Sequence, residues 1–167
     1  MNQLDKLQHD REAGRFVDIS DATLDTTRID DTRIKAVRAL VSPAVLLEEL
    51  PVTEAIEALV ETTRDAIGAL LRGRDDRLLV VVGPCSIHDH DQAMQYARLL
   101  KPVADALAGE LIVVMRVYFD KPRTTVGWKG YINDPRLDGS FRINEGLRRA
   151  RELLLEINAL GLPAGTE

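Results

Sequence analysis

One cysteine in 167 residues leaves no partner for an internal disulfide, so Cys85 is a buried hydrophobe, a nucleophile or a metal ligand. Long apolar runs are missing as well. LLVVVG from Leu78 and LIVVM from Leu111 fall far short of the roughly 20 residues a membrane helix needs. The opening MNQLDKLQHDREAGRF has no apolar signal-peptide core; the expectation is a cytoplasmic chain with no membrane partner. Positive charge is in deficit, with 22 Lys and Arg against 27 Asp and Glu and a net charge of -5, which argues against nucleic acid as a partner. No internal repeat or low-complexity tract occurs. What is there, 45% hydrophobic and 29% charged residues, is the make-up of an ordinary globular protein, at a length that suits one domain.

Residues 1–28 are polar, of mixed charge and without a sustained period, and read as a mobile leader. Residues 29–77 read as a helical extension. In it IDDTRIKAVRALVSPAVLLEELP predicts a short helical stretch, a Ser-Pro break and a second short helix. Ile56, Val60, Thr63, Ile67, Leu70 and Leu71 then recur at helical spacing until Gly73 stops them. From Leu78 the period changes. Leu78–Val82 is continuously apolar and β-branched, as in a parallel strand covered on both faces. A helix follows from about Asp91 with Ala93, Ala97, Leu100 and Ala104 on one side, and Pro102 is expected to kink it or end it early. A second strand runs from Leu111 to Tyr118, a long polar loop holds Gly127, Gly130 and Pro135, and Ile143, Leu147, Ala150, Leu154 and Ile157 mark another helix up to Gly161. LPAGTE begins a third strand. Strand and helix in alternation predict an α/β fold with parallel strands.

In such folds functional groups collect at the C-terminal ends of strands. Two segments fall there: GPCSIHD after the first strand and RVYFDKPRTTVGWKG after the second. In the second, Arg116, Lys121, Arg123 and Lys129 face the single acid Asp120, a local cation surplus suited to a small anion. Arg grips carboxylate or phosphate with paired hydrogen bonds, whereas Lys is a compact charge that can also move a proton; a solvated loop would look the same by charge alone. His88 and His90 near Cys85 fit no common zinc spacing. A base close enough to activate the thiol does not follow from sequence proximity.

Taken together, GPCSIHD, MRVYFDKPRTTVGWKG, INDP, DGSF and GLPAGTE are similar to the feedback-regulated type I 3-deoxy-D-arabino-heptulosonate 7-phosphate (DAHP) synthases. The resemblance runs in unbroken order from about Ile29 to Glu167. It implies the first part of a (β/α)8 TIM barrel, incomplete in residues 78–167 and preceded by the helical extension; a whole barrel takes about 250 residues. The activity implied is a metal-dependent aldol-type condensation of phosphoenolpyruvate with erythrose 4-phosphate, the first step of the shikimate pathway to the aromatic amino acids.

By the same resemblance Cys85 is a metal ligand, for Mn, Fe, Co or Zn. Arg116 and Lys121 hold phosphoenolpyruvate, with Lys121 able to donate a proton. Arg123 and Thr124 bind erythrose 4-phosphate, and Glu167 is the acid at the end of the third strand. Trp128 and Lys129 belong to the motif without an assigned role. Asp30, Asp31 and Ile34 border the pocket of an aromatic amino acid effector, although Asp before TRIKAVRAL would also cap a helix. A homo-oligomer is implied for the full-length enzyme. The family completes its metal site with later histidine, glutamate and aspartate residues, so this chain alone is expected to be inactive. The alternative is a non-catalytic protein that binds phosphorylated ligands or pairs with a full-length synthase.

Overall fold

Gly-terminated helices alternating with β-branched runs dictate the order of elements that a computed structural model of the chain shows. It describes residues 23–24, 37–121 and 127–167. They fall in two units, 1–42 and 43–167.

In the first unit β1 (Thr23–Leu24) pairs antiparallel with β2 (Val37–Arg38), Thr23 opposite Arg38 and Leu24 opposite Val37. This corrects two expectations. Thr23–Leu24, within the stretch expected as a leader, are strand, the rest of residues 1–28 lying outside the described residues, and Val37–Arg38 is extended where the sequence predicts a helical stretch. A β-branched valine suits the strand; the rest of the stretch up to residue 36 lies outside the described residues.

The second unit opens with α1 (Pro43–Glu49) and α2 (Glu54–Leu71). Thr53 caps α2, its hydroxyl accepting from the Ile56 N–H, and Glu54 and Glu57 lie in the first turn, where negative charge is favoured. The helix stops as the sequence says. Gly73, at φ 68°, donates to the Leu70 carbonyl at 2.9 Å while Arg74 N–H reaches back to Ala69 at 2.9 Å, the paired bonds of a Schellman turn. Beyond it Arg77 holds both oxygens of Asp75 and keeps that carboxyl at a pKa of about 2, through its hydrogen bonds first.

Three parallel strands follow in the order β3 (Leu78–Val82), β4 (Leu111–Arg116), β5 (Ala164–Gly165). Leu78 registers with Leu111 and Val82 with Met115; Met115 registers with Ala164. Helices α3 (His90–Ala106) and α4 (Ile143–Ala159) make the crossovers. Ala93, Met94 and Ala97 of α3 and Ala150, Leu153 and Ile157 of α4 form the core with Met115, Val117 and Leu162. Asp89 caps α3 by accepting from the Gln92 N–H at 2.7 Å.

Three details differ from the sequence reading. Pro102 lies inside α3 and does not end it early, since the helix continues to Ala106; the proline is exposed, and the buried alanine face holds the helix together despite the lost backbone bond. Regular strand β4 ends at Arg116, two residues before Tyr118. β3 is not covered on both faces: Leu78 is 67% and Val81 52% exposed, because β3 is an edge strand among the described residues and its apolar run was read as that of a central one.

Candidate functional site

Parallel pairing sets the C-terminal ends of β3 and β4 side by side, and the residue after β3 is a glycine for a steric reason. A Cβ on Gly83 would lie 2.5 Å from the Arg116 carbonyl oxygen and 3.1 Å from Arg116 Cβ. With no side chain in the way, the chain past β3 turns over the end of β4. There the Arg116 Nε–H donates to the Pro84 carbonyl at 3.1 Å, and the Ile87 N–H donates to the Tyr118 carbonyl at 2.7 Å. The guanidinium lies over the Tyr118 ring, 5.1 Å from its centre, within cation–π range. Arg116 is thereby oriented from two sides.

Cys85 emerges next to it, exposed. The Lys121 ammonium donates to its Sγ at 3.0 Å. That hydrogen bond, then the Lys121 charge, draw the thiol pKa below its ordinary value against a smaller opposing effect of burial, and Arg116 adds to the lowering. The thiolate is the form that attacks electrophiles and ligates metals. The trio Cys85, Arg116 and Lys121 is therefore a sulfur donor flanked by two cations at the mouth of the sheet.

Lys121 is held by its backbone. Its N–H donates to the Lys129 carbonyl at 3.0 Å, and the Tyr131 N–H donates to the Phe119 carbonyl at 2.7 Å, with Asp120 bridged to Gly130 between them. Phe119 and Tyr131 stack, centroids 6.2 Å apart. Asn133 Nδ2 donates to Asp120 Oδ1 at 3.0 Å, and the Trp128 indole N–H to the Asp134 carbonyl at 2.9 Å. Trp128, which had no role in the sequence reading, is thus a structural peg of the loop.

The remaining expected residues are placed less closely. Glu167 stands exposed past the end of β5, on the same side of the sheet, with no side-chain hydrogen bond or ion pair among the described residues. His88 is exposed; His90 Nε2 is 3.4 Å from Glu156 Oε1 on α4. Arg123 and Thr124 lie outside the described residues, as do Asp30, Asp31 and Ile34. Among the described residues no group of three or more His, Cys, Asp or Glu side chains could hold a metal ion, and no helix is long and apolar enough to cross a membrane. Sequence reasoning gave no role to Gly83, Gly130 or Asp134, although each stands in a segment it named. The glycines were visible as loop residues, but their close approaches depend on strand pairing.

Comparison with known proteins agrees with the motifs. The model of the DAHP synthetase I family matches residues 51–167. Over 138 residues the chain is 58% identical to the Phe-sensitive phospho-2-dehydro-3-deoxyheptonate aldolase of Escherichia coli (strain K12), covering 83% of this chain and 39% of that protein. It is 56% identical over 139 residues to phospho-2-dehydro-3-deoxyheptonate aldolase of Amycolatopsis methanolica, covering 83% and 68%. A solved structure of the phospho-2-dehydro-3-deoxyheptonate aldolase from Francisella tularensis SCHU S4 superposes with a TM-score of 0.76 at 46% identity, over 80% of this chain and 39% of that one. The chain spans about two fifths of the length of the E. coli and Francisella proteins.

Proposed function

Because the chain belongs to the DAHP synthetase I family, we propose that its strand ends form part of the active site of a DAHP synthase. The reaction is the aldol-type condensation of phosphoenolpyruvate with erythrose 4-phosphate to DAHP and phosphate, placed in the cytoplasm. The observation that carries this reading is the 3.0 Å contact of Lys121 Nζ with Cys85 Sγ, beside Arg116. Two fixed cations converge there on one small volume, as a substrate bearing both carboxylate and phosphate requires.

Each group then has a task. With Arg116 Nε committed to Pro84, the terminal guanidinium nitrogens are the ones to take a carboxylate. Lys121 binds the phosphate and can donate a proton to the developing product. Arg123 and Thr124 take the phosphate of the sugar, and Glu167 serves as the acid at the end of β5. Cys85, biased towards thiolate, suits a divalent ion (Mn, Fe, Co or Zn), and the described residues offer no complete ligand set with it. Turnover therefore needs ligands from outside this set. When bound, the ion would polarise the sugar aldehyde.

The same reading makes β3, β4 and β5 the first strands of a (β/α)8 barrel behind a helical extension. The exposed Leu78 and Val81 on β3, Leu99 and Val103 on α3 and Leu107 just past its end support it, since further β/α units would cover them. They equally favour a second reading, a non-catalytic chain that pairs with a full-length synthase through this edge. An aromatic amino acid effector is supported by the names of relatives, one Phe-sensitive and one tyrosine-inhibited; Asp30, Asp31 and Ile34 would border its pocket in a homo-oligomer.

The test is turnover. This chain, continued past Glu167 with the corresponding remainder of the E. coli relative, should consume phosphoenolpyruvate and release phosphate when given erythrose 4-phosphate and a divalent metal. Cys85→Ala should abolish both metal content and turnover. A chimera that binds metal and turns over unchanged with alanine at 85 would overturn the assignment, and a chimera with no condensation would favour the second reading.

A further inference from the structure

INDP and DGSF are joined by a hydrogen bond that the proposed reaction does not use: the Gly139 N–H donates to Asp134 Oδ2 at 3.1 Å. Asp134 is 6% exposed, and its backbone holds the loop in both directions. Its N–H donates to the Gly130 carbonyl at 3.0 Å, and its carbonyl accepts from the Leu137 N–H at 3.2 Å and from the Trp128 indole at 2.9 Å. Asp134 Oδ1 is buried with no partner among the described residues. Native structures tolerate few such atoms, and each calls for a reason beyond packing. The turn it closes is itself strained at Leu137, which sits at φ 58°, so the bonds to Asp134 hold a conformation that Leu137 disfavours.

The consequences run towards Lys121. Trp128 and Gly130, both tied to Asp134, flank Lys129, whose carbonyl receives the Lys121 N–H. Gly130 bridges Asp120, the residue before Lys121. A shift of the Asp134 turn would therefore be passed through two short backbone pairings to the ammonium that rests on Cys85.

We propose that Asp134 is a positioning residue: it clamps the 127–131 strip against 119–121 and so fixes the Lys121 ammonium beside Cys85. The inference goes beyond the proposed condensation, because it concerns the meeting of two side chains whatever substrate they receive. Its test can fail while the assignment of the reaction stands, and the reverse.

o-Phthalaldehyde reports that meeting, since it forms a fluorescent isoindole only from a primary amine and a thiol in contact, and Cys85 is the sole thiol. In the unsubstituted chain the isoindole should map to Lys121 and Cys85. Asp134→Ala should lower its yield about fivefold, the change that loss of one hydrogen bond makes in a local opening equilibrium, with cooperative melting retained. Asp134→Asn keeps an oxygen for the Gly139 N–H and should restore most of the yield. Asp138→Ala, in the same loop but exposed, should leave it unchanged. If Asp134→Ala does not fold, Trp128→Phe decides, because it removes the indole donor to the Asp134 carbonyl while keeping an aromatic ring against the core, and should still lower the yield. Full yield in Asp134→Ala or in Trp128→Phe, or an equal drop in Asp138→Ala, overturns the proposal.

Discussion

Replacing Gly130 by alanine tests how the loop holds Lys121, and its cost can be worked from two separate effects. Gly130 sits at φ 128°, where a side chain is strained by about 1–3 kcal/mol. The added Cβ would also lie 2.2 Å from the Phe119 carbonyl oxygen and 2.7 Å from Asp120 Cα. Both are backbone atoms. Neither can move without breaking the 2.7 Å bond from the Tyr131 N–H to Phe119, and forced overlap of this kind costs about 1–3 kcal/mol. Together the two effects come to about 2–6 kcal/mol, a large part of the roughly 5–15 kcal/mol that a domain has. Gly139 supplies the control. It too has a positive φ, 72°, but nothing lies within 4 Å of its added Cβ, so Gly139→Ala should cost only the strain, about 1–2 kcal/mol. Urea unfolding followed by circular dichroism and by the single tryptophan, Trp128, gives both numbers. Gly130→Ala within about 0.5 kcal/mol of the unsubstituted chain, the range of an ordinary surface change, would refute the close approach.

Cys85 should be alkylated by iodoacetamide with a midpoint below the ordinary thiol value of about 8.5, and Lys121→Met should move that midpoint upward, since the Lys121 hydrogen bond is the first cause of the lowering; an unmoved midpoint would contradict this. Because the folded pKa lies below the unfolded one, the associated stability is present above the unfolded thiol pKa and is lost as pH falls through the folded value. Leu153→Ala, at a fully buried core position, should cost about 2–5 kcal/mol by thermal or urea unfolding, and a loss below about 1 kcal/mol would mean the core is not closed there. Breaking the exposed Arg148–Glu49 pair, 2.7 Å apart, should change stability by no more than about 1 kcal/mol in a double-mutant cycle.

Much of the second unit is legible because its signals are local. The apolar runs at Leu78 and Leu111, the helical spacing of Ile56 to Leu71 and of Ile143 to Ile157, and the stops at Gly73 and Gly161 each lie within one element, and each gives the element found. Signals weighed against tertiary packing were read less well. Pro102 looked like a breaker because the sequence does not show how firmly the alanine face of α3 is buried. Val37–Arg38 looked helical because a strand partner at Thr23–Leu24 is invisible until the chain pairs. The cation surplus around Lys121 was readable, yet its contact with Cys85 spans 36 residues and exists only because β3 and β4 are parallel neighbours. Asp134 stands in the INDP motif, but the sequence gives it no role: its hold on Gly139 and Trp128 comes from burial and a turn that the sequence does not show.

Calorimetric titration of phosphoenolpyruvate into the chain addresses most directly whether the ends of β3 and β4 form a site for that anion. Saturable binding is expected, weakened about tenfold or more in Arg116→Gln and in Lys121→Met, as when one charge-assisted hydrogen bond is lost, and unchanged in Glu110→Gln, at the opposite end of the sheet. Absence of binding, or equal affinity in all four proteins, would contradict such a site.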